Sequence, residues 1–161
     1  MCCKSSSSRT VSHWPSVGGF ITALVDVDLT SIPIERLSSL VSFGIGPWFI
    51  SIKNVSGCNL VDIIDSYNKI LGCSFENQIL GSEETKALVR VMDTRVEFLK
   101  LDSVTVDIEA LLKYNGQGTC RTITYVGDTA TREILRSWAQ SRNWAVVEES
   151  EDLFRIKKTL K

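Results

Sequence analysis

The sequence predicts an α/β fold: a short strand–helix solenoid with one parallel inner sheet, helices on the outer side, and a C-terminal β-hairpin cap. Three observations predict it. From Phe20 onward a short unit recurs about every 21 to 28 residues, a period that marks a stacked array. Within each unit an alternating apolar/polar stretch gives way to apolar residues at i, i+3, i+4 and i+7. The last unit breaks the pattern, as the unit covering the open end of a stacked core must.

Residues 1–18 are serine-rich at the start, carry no period and end just before Gly19, and they read as a disordered tail ahead of the array at 19–161. Strands are expected at Leu24–Leu29, Phe49–Lys53, Ile70–Ser74, Phe98–Asp102 and Thr122–Tyr125. The first helix starts near Pro33, because proline suits a first helical position where its missing N–H has no partner to lose. Leu60, Ile63, Ile64 and Tyr67 form a complete helical stripe after Asn59 as cap. Gly81-Ser82-Glu83-Glu84 opens the third helix with two acids in the first turn, and Leu88, Val91 and Met92 face inward. Thr105 is expected to cap a fourth helix through Ile108, Leu111 and Leu112, which ends at the glycines of Tyr114-Asn115-Gly116-Gln117-Gly118. Asp128 caps the fifth, with Thr131, Ile134, Leu135 and Trp138 along it. Two alternating strands, Trp144–Val147 and Leu153–Ile156, follow around an acidic loop.

Alternation along the strands separates two faces. The inward set is Val25/Val27, Ile50/Ile52, Leu71/Cys73, Leu99/Leu101 and Ile123/Tyr125. The outward set supplies the candidate partner-binding residues Asp26, Asp28, Ser51, Lys53, Ser74, Lys100, Asp102 and Thr124.

Composition narrows the partner. With 161 residues and 43% hydrophobic content the chain can bury a real core. A formal charge of −1 leaves no basic excess for a phosphate backbone, so nucleic acid is not expected. No apolar run approaches the roughly 20 residues that span a bilayer. No signal-peptide h-region appears at the start, which together with the cysteines points to a cytoplasmic protein. Those cysteines are Cys2, Cys3, Cys58, Cys73 and Cys120, with no C-x-x-C, and three of them sit in apolar units as reduced, buried thiols. Cys2-Cys3-Lys4 offers two adjacent thiols beside a base, a pattern an S-acyltransferase could take; the alternative is an unmodified tail.

Catalytic readings find little support. Neither a metal nor a cofactor is expected, since the single histidine, His13, lies in the leader and no Gly-Lys-Ser/Thr loop follows a strand. The thiols lack a nearby base, and the acid pairs Asp62/Asp65 and Glu83/Glu84 fit solvated helix faces. Trp138 and Trp144 fit core or end-cap packing.

The L-x-L anchors Leu99-Lys100-Leu101 and Ile50-Ser51-Ile52, with Leu37/Val41, Ile63/Ile64, Leu88 and Leu111/Leu112 in the helices, resemble the leucine-rich-repeat superfamily. The likeness is to the long, irregular repeats of ribonuclease-inhibitor-like proteins and cytosolic NACHT-type innate immune receptors, and covers roughly residues 20–140. In that family an Asn or Cys three residues after the second strand anchor hydrogen-bonds the turn between repeats. Here Thr30, Val55, Glu76 and Val104 hold those positions and Asn54 falls one residue early, so no such ladder is expected. The resemblance implies a non-enzymatic module that binds a protein through its exposed sheet face. A compact α/β domain of another class, with a small-molecule or enzymatic site, is the alternative.

Overall fold

The computed structural model describes residues 11–16, 19–26, 48–56 and 71–160. They form an α/β unit whose sheet contains, among the described residues, eight strands in the order β1-β2-β3-β4-β5-β6-β8-β7. The strands are β1 Val11–Ser16, β2 Gly19–Val25, β3 Trp48–Lys53, β4 Gly72–Glu76, β5 Phe98–Asp102, β6 Thr122–Val126, β7 Trp144–Glu149 and β8 Phe154–Lys158. From β2 to β6 every neighbouring pair is parallel and in chain order. The pairs β1/β2, β6/β8 and β8/β7 are antiparallel. The described helices are α1 Ser82–Thr94, α2 Ile108–Leu111 and α3 Thr129–Ser141.

Two expectations at the N-terminal side are corrected. Val11–Ser16, assigned to the tail, is an edge strand paired with β2 in the register Ser16↔Gly19 to Val11↔Leu24. An edge position tolerates Pro15, which has no N–H for a ladder, and a glycine pair after such a strand is a hairpin signal. The first parallel strand is Gly19–Val25, not Leu24–Leu29, so Val25 pairs with Lys53 and Asp26 falls beyond the strand. The alternation Leu24–Leu29 was equally compatible with a strand, and the longer apolar run Phe20-Ile21-Thr22-Ala23-Leu24-Val25 prevails. The helices expected near Pro33 and over Leu60–Tyr67 lie outside the described residues, as do Val27, Cys2, Cys3 and Cys58.

Each described strand–helix unit follows from its residues. On β5 the order exposed, buried, exposed, buried, half-buried for Phe98-Leu99-Lys100-Leu101-Asp102 is the period-two signature of a one-sided sheet. Helix α1 starts after Gly81, places Glu83 and Glu84 against the positive end of its dipole, and buries Thr85, Ala87, Leu88, Val91 and Met92. Helix α2 is capped by Asp107, whose carboxylate accepts the Ala110 N–H at 3.1 Å. Thr105, the cap expected there, is occupied elsewhere: its N–H donates to Gln78 O and its carbonyl accepts from Leu80 in a parallel bridge between turns. Helix α2 ends at Leu111 with Leu112 as its C-cap, earlier than the glycines expected to stop it, and Gly116 takes φ +77° in the loop beyond, a conformation that favours glycine. Asp128 caps α3, accepting the Thr131 N–H at 2.7 Å and the Tyr125 hydroxyl at 2.8 Å.

The inward strand residues Ile50, Ile52, Cys73, Phe75, Leu99, Leu101, Ile123 and Tyr125 share one continuous core with Leu88, Met92, Leu111, Leu135 and Trp138 of the helices. All three described helices therefore cover the same sheet face. Strand β4 runs to Glu76, so Phe75 rather than Leu71 is the second inward residue of its unit. Toward the C-terminal end Tyr114, Trp138 and Trp144 pack together, with ring centroids 5.9 Å apart for Tyr114–Trp138 and 5.3 Å for Trp138–Trp144. Both indoles are hydrogen-bonded, Trp138 Nε1 to Tyr114 O and Trp144 Nε1 to Gly116 O. The tryptophans are structural, as their sequence context indicated. The C-terminal hairpin is present, with β8 inserted between β6 and β7.

A ladder does run along the strand ends. Asp26, Asn54, Asn77 and Ser103 each follow a strand directly at φ between 48° and 54°. Each backbone N–H there donates to the last strand residue of the next unit: Asp26 to Lys53, Asn54 to Glu76, Asn77 to Asp102 and Ser103 to Val126. The Asn54 amide also donates to the Asp26 carboxylate at 2.7 Å, and the Asn77 amide to the Asn54 side-chain oxygen. Asparagine and aspartate tolerate the left-handed region better than other side chains, which is why they recur there. Counted from the second inward residue of each observed strand, Ile52, Phe75 and Leu101, the ladder residues Asn54, Asn77 and Ser103 stand two positions on, one short of the spacing the resemblance implied.

Candidate functional site

The candidate site is the sheet face opposite the helices. No described helix covers it, and its residues fall in rows set by the parallel register. The first row is Phe49, Gly72, Phe98 and Thr122, continued by Lys157 on β8. Next come Ser51, Ser74, Lys100, Thr124 and Arg155, then Lys53, Glu76, Asp102 and Val126.

The first two rows enclose a shallow concavity of about 440 Å³. Its floor is Gly72. A Cβ there would stand 2.6 Å from Cδ1 of Phe49, so the Phe49 ring occupies the space that any other residue's side chain would claim. Phe49 and Phe98, on the strands to either side, are 37% and 42% exposed, which is unusual for aromatics on a strand. Thr122 and Thr124 are buried at the bottom of the opposite end, and Arg155 Nε donates to Thr124 Oγ1 at 3.2 Å.

Ion pairs lie mostly toward the rim. Lys53 meets Glu76 at 2.7 Å, and this hydrogen-bonded partner raises the lysine pKa. Lys100 lies 3.5 Å from Asp102, and Arg155 pairs with Glu148 of β7 at 2.5 Å. Pairs so exposed contribute little to stability, about 0 to 1 kcal/mol, and exchange readily with water or a ligand.

Of the expected binding residues, Ser51, Lys53, Ser74, Lys100, Asp102 and Thr124 lie on this face. Lys53 and Asp102 belong to the third row, outside the concavity, and Thr124 is 92% covered by its neighbours, being only 8% exposed. Asp26 is an exposed turn residue of the ladder rather than a strand residue, and Asp28 lies outside the described residues. Phe49, Gly72, Phe98, Thr122, Arg155 and Lys157 are not among the candidate binding residues, although alternation does place Gly72 in the outward set. The first four share the parity of Ser51, Ser74, Lys100 and Thr124, so the same alternation would have found them. Arg155 and Lys157 depend on the pairing of β8 with β6, which no local pattern announces.

The described thiols are placed for packing rather than attack. Cys73 and Cys120 are unpaired and buried in the core, and burial pushes both thiol pKa values up, that of Cys120 to about 12. A second, more open hollow of about 560 Å³ lies along α3, lined by Leu112, Glu133, Ile134, Ser137 and Arg142 among others. The chain matches no protein-family model, no curated protein and no solved structure.

Proposed function

We propose that this chain is a protein-recognition module that binds its partner through the open face of the sheet. In this reading it is a short strand–helix solenoid of the leucine-rich-repeat kind, related to the arrays of NACHT-type immune receptors, and it acts in the cytoplasm by binding rather than catalysis. The carrying observation is the sheet face that no described helix covers, with Phe49 and Phe98 exposed beside Gly72. Exposed aromatics grouped on a rigid surface are more typical of interfaces than of idle surface. Chain-order parallel pairing, the described helices all on one side, and the ladder at the strand ends support the array. A doubly wound enzyme domain would bury both sheet faces, whereas two of the three outer rows here are mainly polar or charged. Strands about 4.8 Å apart make the five parallel strands about 20 Å wide, a surface suited to a helix, loop or extended segment.

Affinity capture from native lysate tests the reading. Wild type is compared with a variant carrying Phe49→Ser, Phe98→Ser, Lys100→Glu and Asp102→Lys, all on the open face. Loss of the captured proteins from a variant with an unchanged circular dichroism spectrum is the expected result. Equal capture by the folded variant rules the open face out as the binding surface.

A further inference from the structure

We propose that the open face takes an acidic stretch of polypeptide with one apolar anchor, the anchor packing on the exposed Phe49 and Phe98 rings and the acids meeting Lys100, Arg155 and Lys157. This rests on the reading of the face as a protein-binding surface and specifies the chemistry of what it binds.

Charge selects the acid. The chain carries 19 acidic against 18 basic residues, yet the charged side chains lining the concavity are Lys100, Arg155 and Lys157, with no Asp or Glu among them. Strand β6 places these cations around its two buried threonines. Thr124 pairs with Lys100 on one side and Arg155 on the other, and Thr122 pairs with Lys157. Lys100 and Arg155 therefore stand two strand spacings apart, about 10 Å. Lys157 is exposed and has no ion pair among the described residues. The acids paired with the other two, Asp102 and Glu148, stand outside the lining.

Shape selects the anchor. Because Gly72 has no side chain, the Phe49 ring lies over it, and with Phe98 on the other neighbouring strand it offers a partly exposed apolar surface. An apolar side chain seated there removes ring surface from water at about 25 cal/mol per Å². From Gly72 to Lys157 the row crosses Phe98 and Thr122, three strand spacings or about 14 Å. An extended chain covers that distance in about four residues at 3.3 Å each, so the acids belong one to four residues from the anchor.

Three dye-labelled peptides test this: Gly-Phe-Glu-Glu-Glu-Glu-Gly, its alanine counterpart Gly-Ala-Glu-Glu-Glu-Glu-Gly, and the basic Gly-Phe-Lys-Lys-Lys-Lys-Gly. Fluorescence anisotropy gives affinity and amide chemical shifts give location. The first peptide is expected to bind most tightly, to weaken with added salt, and to shift the amides of Ser74, Lys100 and Thr122. Lys100→Glu with Lys157→Glu should weaken it about tenfold or more, whereas Phe98→Ser should weaken it but leave the alanine peptide unaffected. Both lysines are exposed, and an unchanged melting temperature verifies the fold of each variant. Equal or tighter binding of the basic peptide at those same amides overturns the acidic occupant while leaving the face as a docking surface. Failure of the acidic peptide to bind, or shifts confined to another surface, overturns the proposal; the capture experiment then decides separately whether the face binds a protein at all.

Discussion

Gln78 and Val55 are joined in both directions across adjacent turns. The Gln78 side-chain amide donates to Val55 O at 2.7 Å, and its oxygen accepts the Val55 N–H. One buried side chain, 3% exposed, thus satisfies both polar groups of a peptide position that no strand ladder reaches.

Gln78→Leu should therefore be costly even though it places a hydrophobic residue in a buried site. It leaves a buried donor and acceptor unpaired, at about 1–3 kcal/mol each before relaxation. A lower midpoint in chemical denaturation, with an unchanged slope, is the expected result. A midpoint within error of wild type would mean that water reaches Val55.

Leu101 and Lys100 are neighbours in sequence with opposite fates. Leu101 is 1% exposed in the core and Lys100 lies on the open face. Leu101→Ala should cost about 2–5 kcal/mol through lost burial and a cavity. Lys100→Ala should stay within about half a kcal/mol. Denaturation midpoints of the two variants measure the contrast.

Alkaline pH should destabilise the fold. Burial raises the pKa of Cys73 and Tyr114, and that of Cys120 to about 12 from an ordinary 9.0. Unfolding frees these groups to ionise, so their contribution is fully present below about pH 9 and is lost as pH rises toward the folded values. Melting temperature should fall steadily across pH 9–12. In native protein at neutral pH a bulky thiol reagent should modify both cysteines far more slowly than in denaturant.

The Asp128 cap behaves in the opposite sense. The Thr131 N–H and then the Tyr125 hydroxyl lower its pKa, so its stabilising effect is present above the ordinary carboxylate range and is lost as pH falls through the folded value. Asp128→Ala should cost about 1 kcal/mol at pH 7. The difference from wild type should shrink toward zero in strong acid, as melting curves of the pair at several pH values would reveal.

Much of the fold was legible because alternation and capping are local. Phe98–Asp102 was read to the residue, and the opening of α1 and the Asp128 cap followed from short-range chemistry. The shifted first strand aside, the misreadings share a cause: each was decided by a neighbour in space. Val11–Ser16 becomes a strand only because β2 offers an edge. Thr105 loses its cap to Asp107 because the turn at Gln78 claims its backbone. The ladder of Asp26, Asn54 and Asn77 was visible as residue types, but their alignment requires the true strand ends. The site divides in the same way, with Phe49 and Phe98 accessible by parity and Arg155 and Lys157 hidden in the order of the last two strands.

Alternation on β5 also has an evolutionary consequence. Leu99 and Leu101 hold the interior while Phe98, Lys100 and Asp102 face outward, and Ile50, Ile52 and Phe75 do the same beside Ser51 and Ser74. Two independent texts are interleaved in one stretch of chain, one for folding and one for the surface. Gly72 and the buried Thr122 and Thr124 apart, the outward codons can drift with little cost to the scaffold. The sheet is thus a ready template for a combinatorial library, in which new specificities are written at positions 49, 51, 74, 98 and 100 on a frame that stays the same.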